Sequence, residues 1–346
     1  MTNPFTFQGF DATTELLRGP VRAKRGPKES APKPSGGSNS GPVAEFIRRA
    51  AAVSKRTPEA MVRITGGAED KGHVKEHLAY ITRNGEIPAT NERGEVVSGR
   101  EAVQDVAGEW NMAVPKRGDL TRNVMLSMPP GTDPEKVLRA ATTFADKTFA
   151  GDRQYLIALH TDKDHPHVHL TLRRRGFDGR NLNPRKEDLQ SWREGFAHEL
   201  RQLGVAAEAT PRRARGVVLK PKTQAVYHME RDNKDGKKRQ DGTVRPAPAV
   251  QLAKFAQAVR EVTGGEAPKV RPWEMKIAER QAKIRGGWNA TADALDKHGT
   301  GEARALAAQI RQFVAEMPPI QTERQQMHAR VAQVRDRTRS HGQDRA

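Results

Sequence analysis

Residues His160 to His169, HTDKDHPHVH, hold four of the chain's eleven histidines. Imidazole is both a metal ligand and a proton carrier near neutral pH, so such a cluster is where chemistry is first sought. The flanking runs, Gln154 to Leu159 and Val168 to Leu172, read as strands joined by a polar Asp/Lys/Pro connection, a β-hairpin with histidines at its mouth. Strand side chains alternate between faces. His167 and His169 therefore share one face and Val168, Leu170 and Leu172 the opposite, packed one, while His160 shares its face with Leu156 and Ala158. Three imidazoles on two rigid strands with one coordination position left open make a metal centre. His165, in the turn beside Pro166, is the weaker ligand candidate. Asp162 can accept an N–H from a ligand imidazole, take a proton, or close an Asx-type turn. The competing reading is a surface hairpin that is merely rich in histidine.

A metal beside a phosphodiester can polarise the non-bridging oxygens and offset charge during an in-line displacement. A nucleophile is still needed. There is no cysteine and no serine in a triad setting, which leaves a metal-bound water or a tyrosine. Of the three tyrosines, Tyr155 points away from His160 by parity and Tyr227 follows an apparent domain boundary. Tyr80 lies on a helix expected over His73 to Arg83 (HVKEHLAYITR) and stopped by Asn84-Gly85. There His73, His77 and Tyr80 stand at i, i+4 and i+7, on one side. Spacing alone favours Tyr80 as a packing residue on the helix face, and simple solvent exposure is the favoured role of His73 and His77.

Around these residues the chain supplies the positioning elements. Val43 to Ser54 has helical spacing and opens the folded part, and Met61 to Thr65 alternates as a strand ended by Gly66-Gly67. Glu86 to Pro115 reads as a long polar surface excursion anchored by Trp110. Asn123 to Met128 is a short strand. Asp133-Pro134 caps a helix over Glu135 to Phe149 with Val137, Leu138, Ala141 and Phe144 inward, and Asn183-Pro184 precedes a helix over Arg185 to Leu203 with Leu189, Trp192, Phe196 and Leu200 buried. The expected class is α+β, a mainly antiparallel sheet with helices packed on one face, of split-βαβ character.

Composition bounds the rest. The 346 residues are 35% hydrophobic and 5% aromatic, lean for a chain packed throughout. We expect a disordered basic arm at 1–42, a compact domain at 43–220, a linker at 221–250 and a helical, basic C-terminal region at 251–346. That region carries helical stretches at Gln251 to Val262, Trp273 to Ile284, Glu302 to Met317 and Thr322 to Arg339; Val217 to Leu219, just before it, admits an edge strand. A net charge of +18 favours a polyanionic partner, nucleic acid over an acidic membrane, because no apolar run approaches spanning length. The absence of cysteine and of an apolar leader at Met1 to Phe10 fits a cytoplasmic setting.

HLAYITRNG on a helix, HTDKDHPHVHL on a hairpin and then RRR and a further helix resemble, over roughly Ala60 to Arg215, the conjugative relaxases or mobilisation nucleases of the HUH endonuclease superfamily, most of all the branch of the agrobacterial T-DNA border endonuclease. The resemblance implies Tyr80 as nucleophile, His160, His167 and His169 as metal ligands, and Asp162 as the acidic residue that tunes the site; His77, which matches no ligand of that family, and His165 are candidate contacts around it. It implies attack on one DNA strand at an origin of transfer, a 5′-phosphotyrosyl link and a free 3′-hydroxyl. The metal is expected to be Mg²⁺ or Mn²⁺, while three imidazoles also suit Zn²⁺. Expected partners are single-stranded origin DNA, relaxosome accessory proteins and a type IV secretion coupling protein through which the protein could itself be exported. Arg83, Arg173, Arg174, Arg175 and Arg180, with Arg212 and Arg213, are the candidate DNA contacts, and scarce aromatics predict binding dominated by phosphate. A rolling-circle replication initiator of the same superfamily and a non-catalytic DNA-binding accessory protein with a structural metal are the alternatives.

Overall fold

Short apolar runs separated by capping residues, glycine and proline fold in the order α1 (Pro42–Ser54), β1 (Met61–Gly66), α2 (Lys71–Ile81), β2 (Ala89–Asn91), β3 (Val96–Val97), α3 (Arg100–Glu109), β4 (Thr121–Ser127), α4 (Pro134–Ala145), β5 (Tyr155–His160), β6 (His167–Arg173) and α5 (Lys186–Gln202). The helices α6 (Ala249–Thr263), α7 (Pro272–His298), α8 (Gly301–Ala315) and α9 (Glu323–Gln343) follow. The computed structural model describes residues 17, 41–110, 118–219, 226–227, 249–264 and 270–343. The basic arm, apart from Leu17, Gly41 and Pro42, and most of the linker lie outside the described residues.

Six strands form one sheet in the order β1-β4-β6-β5-β2-β3, and every ladder is antiparallel. The β5–β6 pairing sets His160 opposite His167 and Ala158 opposite His169, the register the alternation predicts. The strand β1 forms one rim and its register shifts between Ile64 and Gly66; at the other rim β3 is two residues long. No strand forms at Val217 to Leu219, where an edge strand was admissible.

The α+β class is as expected, and α4 and α5 pack on one face. Tyr155, Ile157, Val168, Leu170 and Leu172 meet Val137, Ala141, Phe144, Trp192, Phe196 and Leu200 there. Burying each such large side chain contributes roughly 1.5–3 kcal/mol. The opposite face is covered too, at its β5–β2–β3 end, which a single covered face did not anticipate. Leu156, Ala158, Ala89 and Val97 pack against Val74, Leu78 and Ile81 of α2 and Val103, Val106 and Trp110 at α3. Glu86 to Pro115 is therefore no surface excursion over its described residues: it contributes β2, β3 and α3 to a second core, with Trp110 1% exposed.

Helices α2 and α4 begin at capping aspartates. Asp70 accepts from the His73 backbone N–H (2.9 Å), and Asp133 from that of Glu135 (3.0 Å). Arg48 of α1 pairs with Glu45 and Glu208, tying that helix down.

The chain divides into two compact units, 1–215 with 291–313, and 216–290 with 314–346. In the second, Ala258 and Val262 of α6 pack with Val331 of α9. Its polar centre is Glu274, 4% exposed, which accepts from Thr322 Oγ1 (2.8 Å), Arg324 Nη2 (2.9 Å) and the Arg271 backbone N–H (2.9 Å). Burial raises the Glu274 pKa, yet these donors, Arg324 foremost, outweigh it and bring the carboxyl down to about 2. Helix α7 runs beyond the expected Ile284 and through Gly286-Gly287, because the buried Trp288, Ala292 and Leu295 continue its apolar stripe.

Candidate metal centre and nucleophile

One ring nitrogen from each of His160, His167 and His169 lies within 4.8 Å of the other two, the arrangement parity predicted. His160 and His167 are buried and His169 is half-buried. Protein carbonyls orient two of the rings. His160 Nε2 donates to the Ile81 carbonyl oxygen (2.7 Å), and His167 Nδ1 donates to that of His165 (3.1 Å). Because a carbonyl only accepts, these bonds fix the proton on Nε2 of His160 and on Nδ1 of His167, leaving Nδ1 and Nε2 respectively with a free lone pair. Burial, reinforced by His160 and His167, pushes the His169 pKa down to about 3. Burial also lowers His167, with the His165 carbonyl opposing. Three ring nitrogens gathered within 4.8 Å of one another, two of the rings oriented by carbonyls, are what a divalent ion requires, so the triad fits one.

Tyr80 stands over this cluster. Its ring centroid lies 6.3 Å from that of His160 and 6.2 Å from that of His169, and the side chain is 64% exposed. It is therefore not the packing residue that its spacing favoured. Tyr155 is 1% exposed inside the α4/α5 core, and burial raises its pKa, so it offers no phenolate. Tyr227 belongs to the second unit.

Immediately after Tyr80 the chain turns sharply. Arg83, Asn84 and Gly85 take positive φ (47°, 58° and 92°), and the Asn84 N–H closes onto the Ala79 carbonyl (2.7 Å). A Cβ on Gly85 would lie 2.2 Å from the Gly99 carbonyl carbon, so only glycine fits. This turn aims Arg83 at Asp162, Nη2 to Oδ2 3.1 Å. Asp162 Oδ1 is also 4.0 Å from His167 Nε2. Partial burial acts to raise the Asp162 pKa, but its own backbone N–H, His167 and Arg83 together bring it below the ordinary range. Asp162 is thus an ionised partner of the site and a poor proton acceptor.

Among the remaining candidates, His165 is exposed and contributes its backbone carbonyl. His77 is half-buried, with Nε2 3.1 Å from Thr171 Oγ1, so plain solvent exposure does not describe it; His73 is exposed and pairs with Asp70 (3.0 Å). Arg173 donates to Gln154 Oε1 (2.8 Å), and Arg174 donates to the Asp119 carbonyl and to Asn183 Oδ1. Arg175 is exposed beside a backbone bridge to Asn181, and the exposed Arg180 lies 3.5 Å from Asp178. Between them Phe177 is 59% exposed, its N–H bonded to the Asp152 carbonyl (2.8 Å). Neither Phe177 nor the Ile81 carbonyl was foreseen. A lone aromatic among arginines carried some signal for the first, and nothing in a side-chain pattern could have marked the second.

A tyrosine at a helix end thus faces three histidines on an antiparallel hairpin, an exposed phenol beside a group that could hold a metal ion. The family described as "Relaxase: MobA/VirD2-like, nuclease domain" matches residues 80–204. The chain is 25% identical over 193 residues to the T-DNA border endonuclease VirD2 of Rhizobium radiobacter, covering 49% of this chain and 46% of that protein. It is 25% identical over 199 residues to the protein of the same name from Agrobacterium fabrum, covering 50% and 44%. The chain thus spans a little under half the length of these relatives. A solved structure titled "Molecular Basis of Vancomycin Resistance Transfer in Staphylococcus aureus" aligns with 44% of this chain at 16% identity and a TM-score of 0.31, too slight a likeness to bear on the fold.

Proposed function

We propose that the protein is a DNA relaxase that nicks one strand at an origin of transfer, for conjugative transfer or mobilisation of a plasmid or integrative element. The observation that carries this is the exposed Tyr80 phenol standing over the His160, His167 and His169 triad. The hydroxyl oxygen of Tyr80 attacks the scissile phosphorus, a tyrosyl O–P bond forms and the P–O3′ bond breaks; at this exposed position the phenol proton leaves to solvent and the departing 3′-oxygen takes a proton from it. The products are a 5′-phosphotyrosyl link and a free 3′-hydroxyl, so the ester is kept for rejoining. A divalent ion held by the triad, Mg²⁺ or Mn²⁺ as in similar nucleases, would supply charge stabilisation at the non-bridging oxygens.

The chain's own residues do the rest. The Ile81 and His165 carbonyls hold two of the rings, and Asp162 anchors Arg83 beside the tyrosine. Arg83, Arg173, Arg174, Arg175 and Arg180 supply phosphate contacts, and Phe177 offers a ring face to an unpaired base. We take 43–220 as the nuclease domain and 251–346 as the region that recruits accessory proteins and a type IV secretion coupling protein. Among the described residues no helix is long and apolar enough to cross a membrane, and we place the protein in the bacterial cytoplasm, exported with its DNA.

The test is covalent trapping. Incubated with a random-sequence single-stranded DNA library and Mn²⁺, the protein should give an SDS-stable adduct whose DNA can be recovered and sequenced. Tyr80→Phe should form none. An adduct retained by that variant overturns the nucleophile, and no adduct from the unaltered protein overturns the nuclease reading.

A further inference from the structure

His77 has no part in the reaction as set out above, yet the structure gives it a defined place beside the nucleophile. It lies one turn before Tyr80 on the same side of α2, their ring centroids 6.4 Å apart and the planes 29° from parallel. Its Nε2 meets Thr171 Oγ1 at 3.1 Å, a hydrogen bond between α2 and β6. Thr171 is 1% exposed and shares strand parity with His167 and His169, two residues beyond the second of them. Helix α2 is thus pinned to the β5–β6 hairpin at two levels, to β5 through His160 and to β6 through Thr171. One is the Ile81 carbonyl on His160, a turn-end contact through backbone. The other is His77 on Thr171, a side-chain contact about one turn earlier. Tyr80 lies between them. A helix held to a strand at one point can roll about its own axis, and a roll of a few degrees displaces a long side chain by roughly an ångström. Held at two points on either side of Tyr80, it cannot.

We propose that His77 is a positioning residue for the nicking reaction: by hydrogen-bonding Thr171 it fixes the roll of α2, so that the Tyr80 hydroxyl stays in line over the phosphate that the histidine triad receives. This rests on the nuclease reading above. Burial lowers the His77 pKa, which keeps the ring neutral and its hydrogen bond to the threonine hydroxyl in one protonation state through neutral pH. Glutamine is the informative replacement, because its side-chain nitrogen sits nearly where Nε2 of histidine does.

The experiment uses the full chain, Mn²⁺ and the oligonucleotide recovered from the trapped adduct. At saturating DNA, His77→Ala should form adduct on the order of 10- to 100-fold more slowly, the scale of an ångström's misplacement. Its DNA affinity, Mn²⁺ affinity and melting temperature should match the unaltered protein. His77→Gln should recover most of the rate. Thr171→Val should reproduce the alanine defect, and the double variant should be no slower than either, because both remove one hydrogen bond. Normal nicking by His77→Ala overturns the role. So does a slow rate that glutamine fails to rescue, or one that tracks a lost melting temperature, which would make His77 merely structural. If the unaltered protein forms no adduct, the nuclease reading fails and takes this role with it; an adduct unaffected at His77 removes this role alone.

Discussion

His160 Nε2 and the carbonyl oxygen of Ile81 are 2.7 Å apart, so the residue after Tyr80 is bonded to a member of the candidate metal centre. The end of α2 and the mouth of the hairpin are one unit. Replacing His160 should therefore do two things at once. His160→Ala should weaken Mn²⁺ binding, measured by titration calorimetry, by at least about 10-fold, since even outer partners of such ligands are worth 10–100-fold. It should also loosen the tyrosine helix, seen as faster amide exchange over Thr82 to Ile87. His169→Ala should share the first effect without the second. Identical exchange in both variants would mean the bond contributes nothing to the helix end.

Gly85 makes a separate prediction. Its φ of 92° and the 2.2 Å approach that a Cβ would make to the Gly99 backbone leave no room for alanine. Gly85→Ala should lower stability by about 2–4 kcal/mol, combining left-handed strain with overpacking. A chemical denaturation midpoint unchanged from the original protein would show that the turn can be rebuilt without cost.

Arg83 pairs with Asp162 across exposed space, their side chains 48% and 43% accessible, so the bridge itself contributes at most about 1 kcal/mol. Its value lies with DNA. Arg83→Ala should leave the melting temperature within a degree or two and weaken single-stranded DNA binding. It should also flatten the dependence of log affinity on log salt by about 0.7, the share of one phosphate on a single strand. A slope equal to that of the unaltered protein would remove Arg83 from the phosphate contacts.

The second unit should be acid-sensitive through Glu274. Its carboxyl titrates near 2 when folded against an ordinary 4.5, so the stabilisation is complete above 4.5 and is lost as pH falls through about 2. Glu274→Gln should cost about 3 kcal/mol at neutral pH, because Arg324 loses a buried partner. The gap between the two proteins should close over pH 4.5 to 2. Melting curves followed by circular dichroism across that range test it, and a gap independent of pH would place the effect in packing rather than charge.

How much of this could be read from the chain depends on the length of the signal. On β6 the alternation of His167, Val168, His169 and Leu170 was enough to place the triad, because a strand's period is two and its packed face is continuous. Tyr80 could be put on a helix, but its standing over the triad depends on how α2 crosses β6, which no spacing within α2 encodes. Glu86 to Pro115 misled because its strands are three and two residues long, too short for an alternating pattern to show, and the apolar side chains that bury it (Val97, Val103, Val106 and Trp110) are scattered among charges. The second covered face followed from that same segment. Asp162 kept three roles open in the sequence; its neighbours decide for a charged partner, since Arg83 and His167 make it a weaker base.

The rims of the sheet carry a further consequence. An unpaired strand edge is a template on which another chain can add itself. Here one edge strand is only two residues long, and the other shifts register between Ile64 and Gly66, which bends its free hydrogen-bonding groups out of line. Among the described residues neither rim therefore offers a long regular run for strand addition.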